Sequence, residues 1–229
     1  MTMLKTSLAL AAALTLAATP FAAAAQEEAA AAETSAETRT FSPINYNVNE
    51  DTENVWLLDL SNGERVAIRL KPDWAPGHVD RIKTLTREGF YDGLIFHRVI
   101  DGFMAQTGDP TGTGTGGSEL PDIAAEFHRM PHVRGTVSMA RAASEDSANS
   151  QFFIVFYPRL SLDNNYTNFG RVISNMTAVD AIERGEPPAN PTRILQASIA
   201  ADGKPIPVNT APRVADEISV DDLNAPIAE

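Results

Sequence analysis

Phe96-His97-Arg98-Val99-Ile100-Asp101-Gly102-Phe103-Met104-Ala105-Gln106-Thr107-Gly108-Asp109 reads as two strands joined by a turn at Asp101-Gly102. Side chains alternate along a strand, so Phe96, Arg98 and Ile100 are expected on one face of the first strand, and Met104 and Gln106 on one face of the second. Such a hairpin presents a guanidinium, an amide and large apolar groups close together.

Outward from this stretch the period-2 pattern continues. Runs over 55–60 and 64–70 flank Asn62-Gly63, and Val66, Ile68 and Leu70 alternate with Arg65, Ala67 and Arg69, which predicts a second hairpin. Further strands are expected over 94–100, 103–107, 135–141, 151–156, 168–173 and 194–200. Ser150-Gln151-Phe152-Phe153-Ile154 is nearly continuous in apolar character, as a strand buried on both faces would be. Asp73 can cap a helix that has Pro76 in its first turn and Val79, Ile82 and Leu85 along one side before Gly89; a second helix fits 176–184, ending at Gly185. Many short strands with only two helices argue for a mainly β chain with an antiparallel sheet closed into a barrel or sandwich, because parallel sheets need a crossover between most strand pairs.

The ends read differently. Lys5, the apolar stretch 7–18, and Ala23-Ala24-Ala25 before Gln26 follow the order of a secretory signal peptide over 1–25, cleaved near Ala25. A membrane span needs about 20 apolar residues, and this core is shorter and interrupted by Pro20. A flexible acidic leader is expected over 26–49, a folded domain over 50–202, and a proline-rich acidic tail over 203–229 with a short ordered piece near 220–223.

With 43% hydrophobic and 21% charged residues in 229, the composition suits one well-filled globular domain. There is no cysteine, so disulfides, thiol nucleophiles and a lipidated amino-terminal cysteine are excluded. A net charge of -12 disfavours nucleic acid and anionic lipid as partners.

The opening hairpin resembles the signature of the cyclophilin-type peptidyl-prolyl cis-trans isomerases. So do Gly135-Thr136-Val137-Ser138-Met139-Ala140-Arg141, the run from Ser150 to Ile154, and Asn168-Phe169-Gly170-Arg171-Val172, in the family's order. Gly89-Phe90-Tyr91-Asp92-Gly93 and the glycine-threonine run 111–117 resemble the family's bacterial members. The resemblance implies a closed eight-stranded antiparallel barrel capped by two helices, with an external groove for a prolyl peptide and no metal or cofactor. Carried over by position, Arg98 is the catalytic arginine and His97 its neighbour in the groove wall. Phe103, Met104, Phe153 and Leu162 line the proline pocket, Tyr166 walls it, and Gln106, Gln151 and the backbone at Ala140 and Arg141 hold the substrate chain.

Ser161 stands where many members carry an aromatic residue, which implies weak cyclosporin binding, and Tyr166 where many carry a histidine. The reading is an exported or periplasmic monomer that isomerises X-Pro bonds in proline-containing clients, without nucleic acid or, after cleavage, membrane. One alternative is a weakly active or inactive chaperone holding prolyl segments in the same groove; another is an envelope scaffold whose tails bind partners.

Other motifs point elsewhere only weakly. Glu126, His128 and His132 have a spacing that could hold a metal on a helix, but Pro131 interrupts it. The run 112–117 lacks the Gly-Lys-Ser/Thr of a phosphate loop, and no nucleophile elbow supports a triad of His97, Asp109 and a serine.

Overall fold

The computed structural model describes residues 40–208. The segments expected as signal peptide and most of the leader, and the tail beyond 208 with its piece at 220–223, lie outside them.

Strand β1 (Val55–Leu60) and strand β2 (Arg65–Leu70) pair antiparallel around a turn in which Gly63 takes φ 88°. Helix α1 (Pro76–Arg87) follows, then the short hairpin of β3 (Arg98–Ile100) and β4 (Met104–Thr107). Strands β5 (Thr136–Met139), β6 (Phe152–Val155) and β7 (Asn168–Ser174), helix α2 (Met176–Asp180) and strand β8 (Ile194–Ile199) complete the order. All strand pairs are antiparallel, in the sequence β3-β4-β6-β5-β7-β2-β1-β8.

The main core lies on the inner side of the curl. Trp56, Tyr91 and Phe152 meet there, with Trp56 and Phe152 centroids 4.8 Å apart and the Tyr91 hydroxyl donating to the Ser150 carbonyl over 3.1 Å. Strand β6 is buried throughout, as its apolar run predicts: Phe152 and Ile154 enter this core, while Phe153 and Val155 enter a second cluster on the outer side.

The expected closed barrel does not form; the sheet is a curled half-barrel. Its end strands, β3 and β8, do not pair with each other; the chain flanking them is joined by the isolated bridges Ile95↔Arg193 and Val99↔Gly185 and by backbone hydrogen bonds from Gly93 to Ile194, Ile194 to Leu94 and Phe96 to Thr192. The chain leading to β8 contains Pro187, Pro188 and Pro191, which have no N–H to give to a ladder.

Asp73 does not cap α1. It accepts from the Ser42 N–H and hydroxyl, each at 2.7 Å, and pairs with Lys71 at 3.1 Å. The free N–H groups of the helix start are met instead by Glu126, whose Oε1 accepts from Gly77 N and Oε2 from His78 N and Nδ1. Helix α2 is shorter than expected: it ends at Asp180, and the Arg184 guanidinium donates to the carbonyls of Asp180 and Ile182.

Residues 41–49, assigned to the leader from sequence, are held on the sheet. Arg69, 2% exposed, donates to the carbonyls of Asn45, Asn47 and Asp51 over 3.0, 2.7 and 2.8 Å. Among the described residues no helix is long and apolar enough to cross a membrane.

Candidate active site

The β3–β4 hairpin supplies the first half of the site. Across it Arg98 faces Gln106 and Ile100 faces Met104; on the far side of β4, Gln106 faces Phe153 and Met104 faces Val155. Directly opposed residues of an antiparallel sheet project from the same face. Arg98, Gln106 and Phe153 therefore form one row, and Ile100, Met104 and Val155 the next. Met104, Phe153 and Val155 make a buried apolar floor, against which Ile100, Phe103, Ala140, Leu162 and Tyr166 pack from the edges.

A cavity of ≈ 350 Å³ opens over this floor. Arg98, Gln106, Phe103, Met104 and Phe153 line it from the sheet and hairpin, and Ala140, Arg141, Leu162 and Tyr166 from the loops after β5 and β6, with Gly114 completing the lining. Tyr166 meets Phe153 edge to face, centroids 5.7 Å apart, and the Arg141 guanidinium stacks 4.9 Å from the Tyr166 centroid. Arg159 covers Phe103 from outside at 5.0 Å. A second cavity of ≈ 520 Å³ shares Gln106, Gly114, Ala140 and Arg141 with the first and reaches Gln151, Asn149 and Asp122. Together they form a furrow with an apolar well at one end and amides and main-chain groups at the other.

Hydrogen bonds fix its polar side. Arg98 donates from Nε to Glu186 Oε2 over 2.8 Å and from Nη1 to Gln106 Oε1 over 3.4 Å. Gln106 Nε2 donates to Gln151 Oε1 over 2.9 Å, and Gln151 Nε2 donates to the carbonyls of Gly114 and Gly116 over 3.1 and 2.8 Å. The glycine-threonine run is thus a loop tied to the hairpin through two glutamines. Asp109 shapes its other side: burial would raise its pKa, but hydrogen bonds from the Thr111 hydroxyl and the N–H groups of Thr111, Gly116 and Gly114 hold it at about 2. Gly108 is required beside it, since its φ is 89° and a Cβ there would run into the Ser150 carbonyl.

Most residues expected at the site converge on this furrow, and two readings change. His97 does not wall the cavity: it is 4% exposed beneath the loop, its ring nitrogens have no hydrogen-bond partner among the described residues, and burial pushes its pKa down, with Asp109 opposing and Arg98 adding. Phe96 does not share a face with Arg98, because regular pairing begins only at Arg98; its ring lies in the main core. Gln151, expected to hold the substrate chain, lines the neighbouring cavity of the same furrow. Ser161 is exposed in the 3-10 turn Leu160–Leu162, outside both linings.

The histidines of the weighed metal motif point apart. His128 Nε2 bonds the Asn168 carbonyl, His132 bonds Asp163 and the Ser138 hydroxyl, and Glu126 is taken by His78. Ser138 is fully buried, so this Asp163-His132-Ser138 array has no access to a substrate. The residue that sequence reasoning missed is Glu186: it lies 88 positions from Arg98 in a proline-rich loop, and nothing local marks it.

Comparison with known proteins agrees with this geometry. Residues 57–199 match the family model described as cyclophilin type peptidyl-prolyl cis-trans isomerase. A probable peptidyl-prolyl cis-trans isomerase of Brucella suis is 49% identical over 170 residues, covering 67% of this chain and 86% of that protein. Peptidyl-prolyl cis-trans isomerase B of Bacillus subtilis is 43% identical, covering 56% of this chain and 89% of that one. Among solved structures, the cyclophilin AquaCyp293 from Hirschia baltica superposes with a TM-score of 0.62 at 28% identity, covering 68% of this chain and 77% of that chain. A Cryptosporidium parvum cyclophilin-type isomerase, crystallised in the presence of the dipeptide Ala-Pro, does so with a TM-score of 0.59 at 27% identity, covering 63% and 98%.

Proposed function

The chain belongs to the cyclophilin-type peptidyl-prolyl cis-trans isomerase family, and on that premise we propose that its furrow seats a prolyl ring in the apolar well while Arg98 stabilises the twisted amide. The observation that carries this reading is the shared cavity: the Arg98 guanidinium and the Phe103, Met104 and Phe153 side chains line the same ≈ 350 Å³. The Ala-Pro dipeptide present with the Cryptosporidium parvum protein supports the same substrate class.

The chemistry follows from amide resonance. Rotation about an X-Pro bond faces a barrier of about 18–20 kcal/mol and breaks no bond. At the transition state conjugation is lost and the prolyl nitrogen regains its lone pair, so a catalyst must bind the twisted form more tightly than either planar one. A guanidinium held at the edge of an apolar well provides fixed donors for that nitrogen or for the prolyl carbonyl. Gln106 and the main chain at Ala140 and Arg141 hold the flanking peptide, leaving rotation to the prolyl bond. No step needs a proton carrier, which suits the buried, neutral-leaning His97.

The biological setting rests on the sequence: the signal-peptide pattern over 1–25 supports an isomerase that acts, as a monomer, on exported proteins in a periplasm or outside the cell. Ser161 supports weak cyclosporin binding.

The test is a protease-coupled or NMR exchange assay on an Ala-Pro peptide. Arg98→Ala is expected to lose activity by about two orders of magnitude, as when a preorganised donor is removed. Arg98→Lys should recover only part of it, since an ammonium lacks the planar fork. Turnover by Arg98→Ala at the wild-type rate overturns the mechanism, and negligible activity in the wild type favours the chaperone.

A further inference from the structure

We propose that Glu186 is a positioning residue for the isomerisation: its carboxylate, anchored to strand β3, holds the Nε edge of Arg98 so that the guanidinium stands ready at the cavity before substrate arrives. The inference rests on the role given to Arg98 above and adds a second group to it.

Three observations converge. The Glu186 carboxylate accepts from Arg98 Nε over 2.8 Å, and the Gln106 amide oxygen accepts from Nη1. Nη2 has no protein partner among the described residues, so the guanidinium is gripped at one edge and open at another. The carboxylate does not hang from a loose loop. Gly185 and Val99 exchange both backbone hydrogen bonds, at 2.8 and 2.9 Å, which fixes Glu186 beside the strand that carries Arg98. That exchange needs glycine: Gly185 takes φ 143°, and a Cβ there would meet Pro188 Cα at 2.6 Å.

An arginine side chain loses much rotamer freedom when ordered. If it is ordered beforehand, the transition state need not bear that cost. Glu186 also neutralises part of the positive charge, which acts in the opposite direction. The pair is 42% and 52% exposed, so solvent screens the charge while the geometry of the hydrogen bond persists. Orientation therefore wins, by a modest margin.

The test uses the full mature chain and the Ala-Pro peptide. Glu186→Ala is expected to lower kcat by about three- to fivefold with KM within about twofold, and Glu186→Gln, which keeps an acceptor without the charge, to recover most of the loss. NMR relaxation of the Arg98 Nε–H should show a less ordered guanidinium in Glu186→Ala than in wild type. An unchanged kcat in Glu186→Ala, or an equally ordered Arg98 Nε–H, overturns the proposal. So does a kcat loss matched by loss of thermal stability and shared by Glu186→Gln. The two readings fail separately: if Arg98→Ala is fully active, the Arg98 assignment falls, whereas an impaired Arg98→Ala beside a wild-type-like Glu186→Ala removes only the role of Glu186.

Discussion

Gln106 and Gln151 are joined amide to amide, Nε2 to Oε1 over 2.9 Å, and through this bond the β3–β4 hairpin carries the glycine-threonine loop. The second amide nitrogen, on Gln151, donates to two loop carbonyls. The furrow is therefore one connected polar strip from Glu186 through Arg98 and the two glutamines to Gly116.

Cutting that strip at its centre should loosen substrate binding more than chemistry. Gln151→Ala removes contacts worth about 1 kcal/mol each, so kcat/KM on a tetrapeptide should fall about five- to tenfold, mostly through KM. A variant that instead loses kcat at unchanged KM would show that the loop is not a binding element.

Tyr166 contributes its ring. It meets Phe153 edge to face and receives Arg141 on its face, while no hydrogen bond to its hydroxyl is seen among the described residues. Tyr166→Phe should keep kcat/KM within about twofold, and Tyr166→Ala should lower it about tenfold, as loss of an aromatic contact of about 1.5 kcal/mol predicts. Equal loss in both variants would assign the work to the hydroxyl.

The segment 41–49 stabilises the domain. Arg69→Ala leaves three carbonyls to be resolvated and should cost about 2 kcal/mol, read as a lower thermal midpoint and faster proteolysis near Asn45, with kcat/KM of the folded fraction unchanged. A midpoint equal to wild type would return residues 41–49 to the leader.

Stability should fall on the acid side of neutrality. Burial pushes the pKa of His97 down, against Asp109 and with Arg98; burial does the same to His132, against its hydrogen bond to Asp163. The unfolded chain therefore takes up protons first, so this stabilisation is complete above about pH 6.5 and is lost as pH falls through the lower folded-state values. Asp109, held at about 2, stays charged throughout that window. Thermal midpoints should be level from about pH 7 to 8 and decline below about 6.5, with a shallower decline in His97→Gln. A flat profile down to about pH 5 would contradict the depressed values.

Period-2 alternation, apolar runs and glycine turns placed each of the eight strands to within a few residues, because short apolar or alternating runs between turn residues are local features of the chain. The same logic failed at Phe96, where the chain is not yet a regular strand and alternation has no meaning. Helix start and stop signals misplaced the role of Asp73 and the end of α2; Asp73 instead meets Ser42, 31 positions away, a partner that local spacing does not reveal.

The sequence by itself determined the strand order of types, the two helices and the identity of Arg98, Phe103, Met104, Gln106 and Phe153 as a set, since these depend on local pattern and on motif likeness. Only the tertiary structure decided that the sheet stays open between β3 and β8, that His97 lies under the furrow, that residues 41–49 belong to the body of the domain, and that Glu186 grips Arg98. The reason is range: hydrogen bonds and ion pairs act over about 3 Å in space, and chain distance does not reveal which distant residue will arrive there.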